Sequence, residues 1–158
     1  MRPEGLERVI AYRVVEAEHP EVRAFLAREW PLADRGLFGA DLDWTSRPVV
    51  VEARAGPELA GVAVGEAVAG MARLHDLLVT EPRRGRQVGR HLVELFCLRA
   101  AELGAARCFL RCPDTDRHRR FYERNGFAPV ARLPRYYHGH DFVEYLRDPL
   151  LQEVREVR

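Results

Sequence analysis

Between Val79 and Leu95 the chain reads VTEPRRGRQVGRHLVEL: an apolar β-prone segment enters a turn carrying Arg83, Arg84, Arg86 and Arg90, and a helix follows. Backbone N–H groups in a glycine turn and at a helix N-terminus are donors without partners, so an anionic phosphate suits this point of the chain. A ligand is legible here before a reaction is. The same residues also fit a polar turn and a solvated basic helix start, because short Gly/Arg motifs recur by chance. A second set of chemically capable residues is the three cysteines, Cys97, Cys108 and Cys112, with His118, His138 and His140 nearby. If residues 107–112 form a strand, Cys108 and Cys112 lie ~13 Å apart along it at ~3.3 Å per residue, too far to share a metal ion. The odd thiol count argues against a disulfide framework, and buried apolar fillers are expected, with no metal.

The elements that must position these residues belong to a chain of 158 residues, which fits one domain over 1–158. Apolar residues at 47% and charged residues at 31% are ordinary for a soluble protein, and no apolar run approaches the ~20 residues of a membrane span. Met1 to Leu6 do not form the apolar stretch of a secretory signal, so a cytoplasmic protein is expected. A net charge of +1 argues against a dedicated nucleic-acid binder. Every basic residue is arginine, so no lysine side chain is available for modification by the protein's own chemistry.

Residues 9–16 (VIAYRVVE) predict a first strand from their β-branched content. A helix is expected after His19-Pro20, with Val22, Phe25, Leu26 and Trp30 on its apolar face, stopped or bent by Pro31. Residues 32–47 fit a short helix or a substrate-facing loop. Strands are expected at 49–54 and 59–67, joined by a turn at Ala55-Gly56-Pro57-Glu58, and again at 71–79. Val88, Leu92, Leu95, Phe96, Ala100 and Leu103 recur at helical spacing over 87–103, with Gly104 as the stop. A strand at 107–112, a helix capped within 113–116 and running to Arg124, and strands at 127–133 and 142–146 complete the order, with RYYHGHD between the last two. The terminal PLLQEVREVR fits a short amphipathic helix or a frayed end.

Two motifs about 40 positions apart carry a resemblance. LLVTEPRRGRQVGRHL is similar to the acetyl-CoA motif of the GNAT (Gcn5-related) N-acetyltransferases, with Arg84 in its first place and Gly89 in its last, and FYERNGF at 121–127 resembles that family's tyrosine helix. Gln87 stands where the family prefers a glycine, which is tolerable if its φ is negative. Thr115 stands where many members have asparagine. The resemblance covers nearly the whole chain and implies an α/β (α+β) fold, with a mixed, mostly antiparallel central sheet of six to seven strands and helices on both faces.

The same resemblance implies acetyl-CoA as co-substrate and no metal. A strand edge at Leu77, Leu78 and Val79 would grip the pantetheine arm by amide hydrogen bonds, with one N–H facing the thioester oxygen. The pyrophosphate would sit on the amides of Arg84, Gly85, Arg86, Gln87, Val88, Gly89 and Arg90, and Thr115 and Tyr122 would complete the cofactor contacts. Acyl transfer to an amine needs the neutral amine, so a base is wanted. His75 lies four residues before Val79, like a catalytic histidine of the similar arylalkylamine acetyltransferases; it also fits a polar residue on the wet face of a strand. Tyr122 stands where the family places the acid that serves the departing thiolate, and it equally fits an aromatic packed on a helix.

The acceptor would enter between residues 30–47 and RYYHGHD. Tyr136, Tyr137, His138 and His140 can shape an amine pocket, and Glu29, Asp41 and Asp43 can attract a cation; each also fits a solvated loop residue. LPRYY followed by an acidic residue resembles bacterial members that acetylate protein α-amino groups. The leading expectation is an N-acetyltransferase for a small-molecule amine or a peptide N-terminus, without nucleic acid or membrane as partner; homodimers are frequent in the family. The alternatives are a non-catalytic acyl-CoA-binding sensor or interaction module, and a nucleotide- or nucleic-acid-binding domain using Arg83–Arg90, which the near-neutral charge and the absent Walker-type lysine disfavour.

Overall fold

The computed structural model describes residues 10–151. The chain divides into two compact units, Met1–Leu42 and Asp43–Arg158. In the first, helix α1 (Pro20–Phe38) begins with proline at its first turn, where the missing N–H costs nothing, and ends at Gly39 with φ 69, whose N–H donates to the Arg35 carbonyl at 3.0 Å. Of the two outcomes expected at Pro31, a stop is excluded: the chain stays helical to Phe38 and the break falls at the left-handed glycine. The strand expected at 9–16 is also corrected: residues 10–16 form no strand, and Ile10, Tyr12 and Val14 are exposed. Residue 9 lies outside the described residues. High β-propensity makes a strand only when a pairing edge and a packed face accept it.

The second unit carries a six-stranded sheet in the order β1-β2-β3-β4-β6-β5. Its strands are β1 (Arg47–Ala55), β2 (Glu58–Val68), β3 (Met71–Val79), β4 (Arg107–Pro113), β5 (Ala128–Tyr137) and β6 (His140–Arg147). All neighbours pair antiparallel except β3 and β4, which run parallel. This mixed, mostly antiparallel sheet is the expected architecture. The hairpins β2–β3 and β5–β6 close through two residues each, Ala69-Gly70 and His138-Gly139, all at positive φ. Such turns match the strand twist. RYYHGHD is therefore a hairpin tip with strands running into it rather than an open loop.

Helix α2 (Val88–Glu102) lies against the sheet through Leu92, Val93, Phe96, Cys97 and Ala100. They meet Val49, Ala63, Ala67, Ala72, Leu74, Cys108 and Leu110 in one core. The buried face is displaced from the expected one: Leu95 is 51% exposed, and Val93 and Cys97 are inside instead. The three cysteines are free thiols within the core, as expected of small fillers. Arg147, at the end of β6, is 2% exposed; its guanidinium meets Glu94 of α2 at 3.0 and 3.4 Å and donates to the Asn125 carbonyl at 3.3 Å. Helix α3 (Asp116–Arg124) ends at that carbonyl.

Candidate active site

The site begins where two strands part. The parallel pairing of β3 with β4 covers only Met71, Ala72 and Arg73, opposite Arg107, Cys108 and Phe109. Beyond it the far edge of β3 has no strand partner among the described residues, so the alternate backbone groups along Leu77–Val79 that point away from β2 are open to an extended guest. A bulge sits at the fork: Val64 pairs with Asp76 and Gly65 with Leu74, which leaves His75 as the extra residue. The strands approach so closely there that a Cβ on Gly65 would lie 1.9 Å from the Arg73 carbonyl oxygen. Glycine is required for this bulge.

Past Val79 the chain makes a short 3-10 turn (Glu81–Arg83) and enters the loop before α2. The Arg84 Nε donates to the Val79 carbonyl at 3.0 Å, fastening the loop to the end of β3. Gly85 has φ 74 and Gln87 has φ 65, two left-handed residues of the kind from which anion-binding nests of backbone N–H groups are built. The condition under which a non-glycine residue is tolerable here, a negative φ, is not met: Gln87 holds a left-handed conformation, and its Oε1 accepts from Arg90 at 3.3 Å. No side chain caps α2, and its first turn holds no acid. The first helical amide to bond inside is His91 N, to the Gln87 carbonyl, so the amides ahead of it face outward. Gly89 sits against Phe121, whose ring carbons would lie 3.3 Å from a Cβ placed there.

The opposite wall is α3. Its N-terminus, unlike that of α2, is closed: the Thr115 hydroxyl accepts from His118 N at 3.2 Å and lies 2.7 Å from His118 Nδ1. Between β3, the loop and α3 is a cleft of about 770 Å3. It brings together Leu77, Leu78, Val79, Arg84, Gly85, Gln87, Val88, Gly89, Arg90 and Tyr122 from the expected set; Arg86 and Thr115 do not line it. It also includes Arg83, one of the arginines singled out in the turn, and residues that sequence reasoning did not place in the site: Arg117, His118, Phe121, Arg124 and Asn125. For His118 and Asn125 the signal was helical spacing from Tyr122, since residues three or four apart share a face.

Tyr122 is buried against Phe121, Phe127 and Tyr145, with ring centroids at 5.1, 5.7 and 5.7 Å. Its hydroxyl makes no hydrogen bond with the described residues. Burial, with Cys112, Cys108 and Tyr145 adding to it, pushes the phenol well above its ordinary 10.0. Such a group is protonated at every physiological pH and is a hydrogen-bond donor to an anion in the cleft. Outright loss of its proton to a thiolate of pKa ~8.5 is uphill, so donation of a hydrogen bond is the stronger part of its chemistry.

His75 stands apart from this cleft, beside a smaller cavity of about 200 Å3 at the fork, lined by Arg73, Leu74, His75, Phe109, Leu110 and Arg111. Its Nε2 lies 3.4 Å from Glu66 Oε1, and Glu66 also accepts from the Ser46 hydroxyl. The Ser46 hydrogen bond, helped by His75 and Arg73 against burial, holds the Glu66 carboxyl below its ordinary 4.5. A histidine backed by a carboxylate is an oriented proton acceptor. Of the acceptor candidates, Glu29, Asp41 and Asp43 already pair with Arg28, Arg35 and Arg47. Tyr136 packs on Tyr137 and Phe142, and its hydroxyl accepts from Arg111 at 3.1 Å. Among the described residues no cluster of His, Cys, Asp or Glu could hold a metal ion, and no helix is long and apolar enough to cross a membrane.

The model of the acetyltransferase (GNAT) family matches residues 10–127, a span that runs through both compact units. The chain belongs to the GNAT acetyltransferase family. Solved structures agree with that fold. An acetyltransferase from Bacillus cereus is similar at 14% identity and TM-score 0.68, over 86% of this chain and 97% of that one. The ribosomal-protein-S18-alanine N-acetyltransferase of Escherichia coli matches at 18% identity and TM-score 0.61, over 69% and 74%. Aminoglycoside 6'-acetyltransferase type Ii matches at 26% identity and TM-score 0.57, over 66% and 70%. No curated protein sequence matches this one. As a GNAT protein the chain is an acyltransferase, and the family uses acetyl-CoA.

Proposed function

We propose that this GNAT protein transfers the acetyl group of acetyl-CoA directly to a primary amine, on a small molecule or a protein N-terminus, acting as a single domain in the cytoplasm. The observation that carries this is the continuity of the large cleft. An unpaired strand edge leads into a loop with two left-handed residues and an uncapped helix start, and a buried tyrosine forms the opposite wall. These features fit a guest with an amide-bearing arm at one end and a diphosphate at the other. Leu77, Leu78 and Val79 would hold the arm, and Arg84, Gly85, Gln87, Val88, Gly89 and Arg90 the diphosphate. Arg86 would add charge from outside the cleft, and Thr115 would act through the helix it caps. Bound there, the thioester supplies an activated acyl group; one β3 amide offers its oxygen a hydrogen bond.

His75, oriented by Glu66 beside the smaller cavity, would take the amine's proton from the acceptor side of the fork. Tyr122 would hydrogen-bond the leaving sulfur from the cofactor side. Acceptor identity is supported at the level of an amine: the likened structures include acetyltransferases named for a ribosomal protein and for aminoglycosides.

The test is calorimetric titration with acetyl-CoA, free coenzyme A and ATP, followed by mass-spectrometric detection of acetylated amines and peptides. Micromolar binding of acetyl-CoA without ATP binding is expected, and absence of acetyl-CoA binding would overturn the proposal. Tyr122→Phe is expected to lower kcat at least ~10-fold and leave acetyl-CoA affinity within about 3-fold. Unchanged turnover would remove Tyr122 from the reaction.

A further inference from the structure

The large cleft carries more positive charge than a diphosphate requires. Arg83, Arg84 and Arg90 stand on the loop side, and Arg117 and Arg124 stand across from them on α3. No Asp or Glu is among the residues lining it, and none of the five arginines has a carboxylate partner among the described residues. The contrast lies within the same helix, where Arg119 and Arg120 both pair with Asp116.

Arg117 and Arg124 are two helical turns apart, ~10 Å along one face of α3 at ~1.5 Å per residue. Phe121 lies between them, and both arginines also border a shallower depression of about 480 Å3 with Asp116, Arg120 and Asn125, the Asp116 carboxylate being already engaged by Arg119 and Arg120. They therefore form a rim between the cleft and that depression. Two unpaired guanidinium groups at such a rim fit an anion of more than one charge, and a phosphomonoester dianion takes several N–H bonds from arginines at once. Acetyl-CoA offers two separate anionic groups: the diphosphate, suited to the loop amides, and a 3′-phosphomonoester on the ribose beyond it.

We infer that Arg117 and Arg124 form a second phosphate subsite, which reads the 3′-phosphate of coenzyme A and makes the protein discriminate against 3′-dephospho donors. This rests on acetyl-CoA as the occupant of the cleft. Arg83, Arg84 and Arg90 neutralise the diphosphate, while the α3 pair adds affinity only when the third phosphate is present. The subsite sets which nucleotide carrier is accepted and leaves the acyl-transfer end untouched.

The experiment is calorimetric titration of acetyl-CoA and 3′-dephospho-acetyl-CoA against the protein, the double variant Arg117→Gln/Arg124→Gln, and Arg119→Gln. Arg119→Gln removes a charge from the same helix at a position lining neither cavity. The unmodified protein is expected to bind acetyl-CoA at least ~10-fold more tightly than the dephospho form. In the double variant that ratio falls to about 2 or less while affinity for the dephospho form stays within about 3-fold, which also reports an intact fold. Arg119→Gln keeps the full ratio. Equal affinity of the unmodified protein for both ligands overturns the inference and leaves the acetyl-CoA proposal standing. A preference erased equally by Arg119→Gln also overturns it, since a diffuse field would then be responsible. Failure to bind either ligand removes the proposed function and the subsite together.

Discussion

Gln87 holds a left-handed conformation that costs a residue with a Cβ ~1 kcal/mol or more, and its one side-chain contact is a 3.3 Å bond from exposed Arg90. Gln87→Gly should therefore raise stability by about 0.5–1 kcal/mol in urea unfolding, and Gln87→Val should lower it. A lower midpoint for the glycine variant would mean that the side chain contributes more than its conformation costs. The position was legible in the sequence, because Arg84 and Gly89 fix the register of the loop; its φ was not, because the sign of a dihedral in a tight loop is set by closure against Val79 and Phe121. Tyr122 shows the same division. Its place before Asn125-Gly126 was readable, whereas its burial among Phe121, Phe127 and Tyr145 comes from three separate elements. His118, Arg117 and Arg124 went unread because charged residues on a short helix look alike until one face is known to border a cleft.

Elements with a packed partner were read well, and elements without one were not. The strand at 71–79 and the helix over 87–103 follow from periodicity that matches a buried face. Residues 10–16 have the composition of a strand and form none, and α1 continues past Pro31 because one lost N–H bond does not end a helix. The face of α2 was misjudged at Leu95 because leucine is as acceptable half-exposed as buried, while Cys97 and Val93 are small enough to lie against the sheet. The Ala69-Gly70 turn is a poor local fit, since its hand requires φ above zero at both residues and alanine has φ 47. Ala69→Asn is expected to raise the urea midpoint by an amount worth about 1 kcal/mol, asparagine being at home in this turn. No gain would show that the hairpin is held by its strands alone.

At the scale of the molecule, Arg147 joins the last strand to both walls of the cleft, through Glu94 on α2 and the Asn125 carbonyl at the end of α3. Its Nε has no partner among the described residues, so the guanidinium depends on the few bonds it has. Glu94→Leu should cost about 1–3 kcal/mol, the half-exposed carboxylate placing it below a fully buried pair. The double variant Glu94→Leu/Arg147→Met should recover most of that loss in urea unfolding; no recovery would mean that Glu94 contributes by packing rather than by charge. The sealing of Cys97, Cys108 and Cys112 inside the same core has a practical side. A catalyst whose by-product is a mercaptan gains from having no thiol of its own at the surface, since it then neither traps that by-product as a mixed disulfide nor scavenges the acyl group. A chromogenic disulfide dye added to the folded protein would colour only with turnover, and the signal from the chain itself would develop as it unfolds.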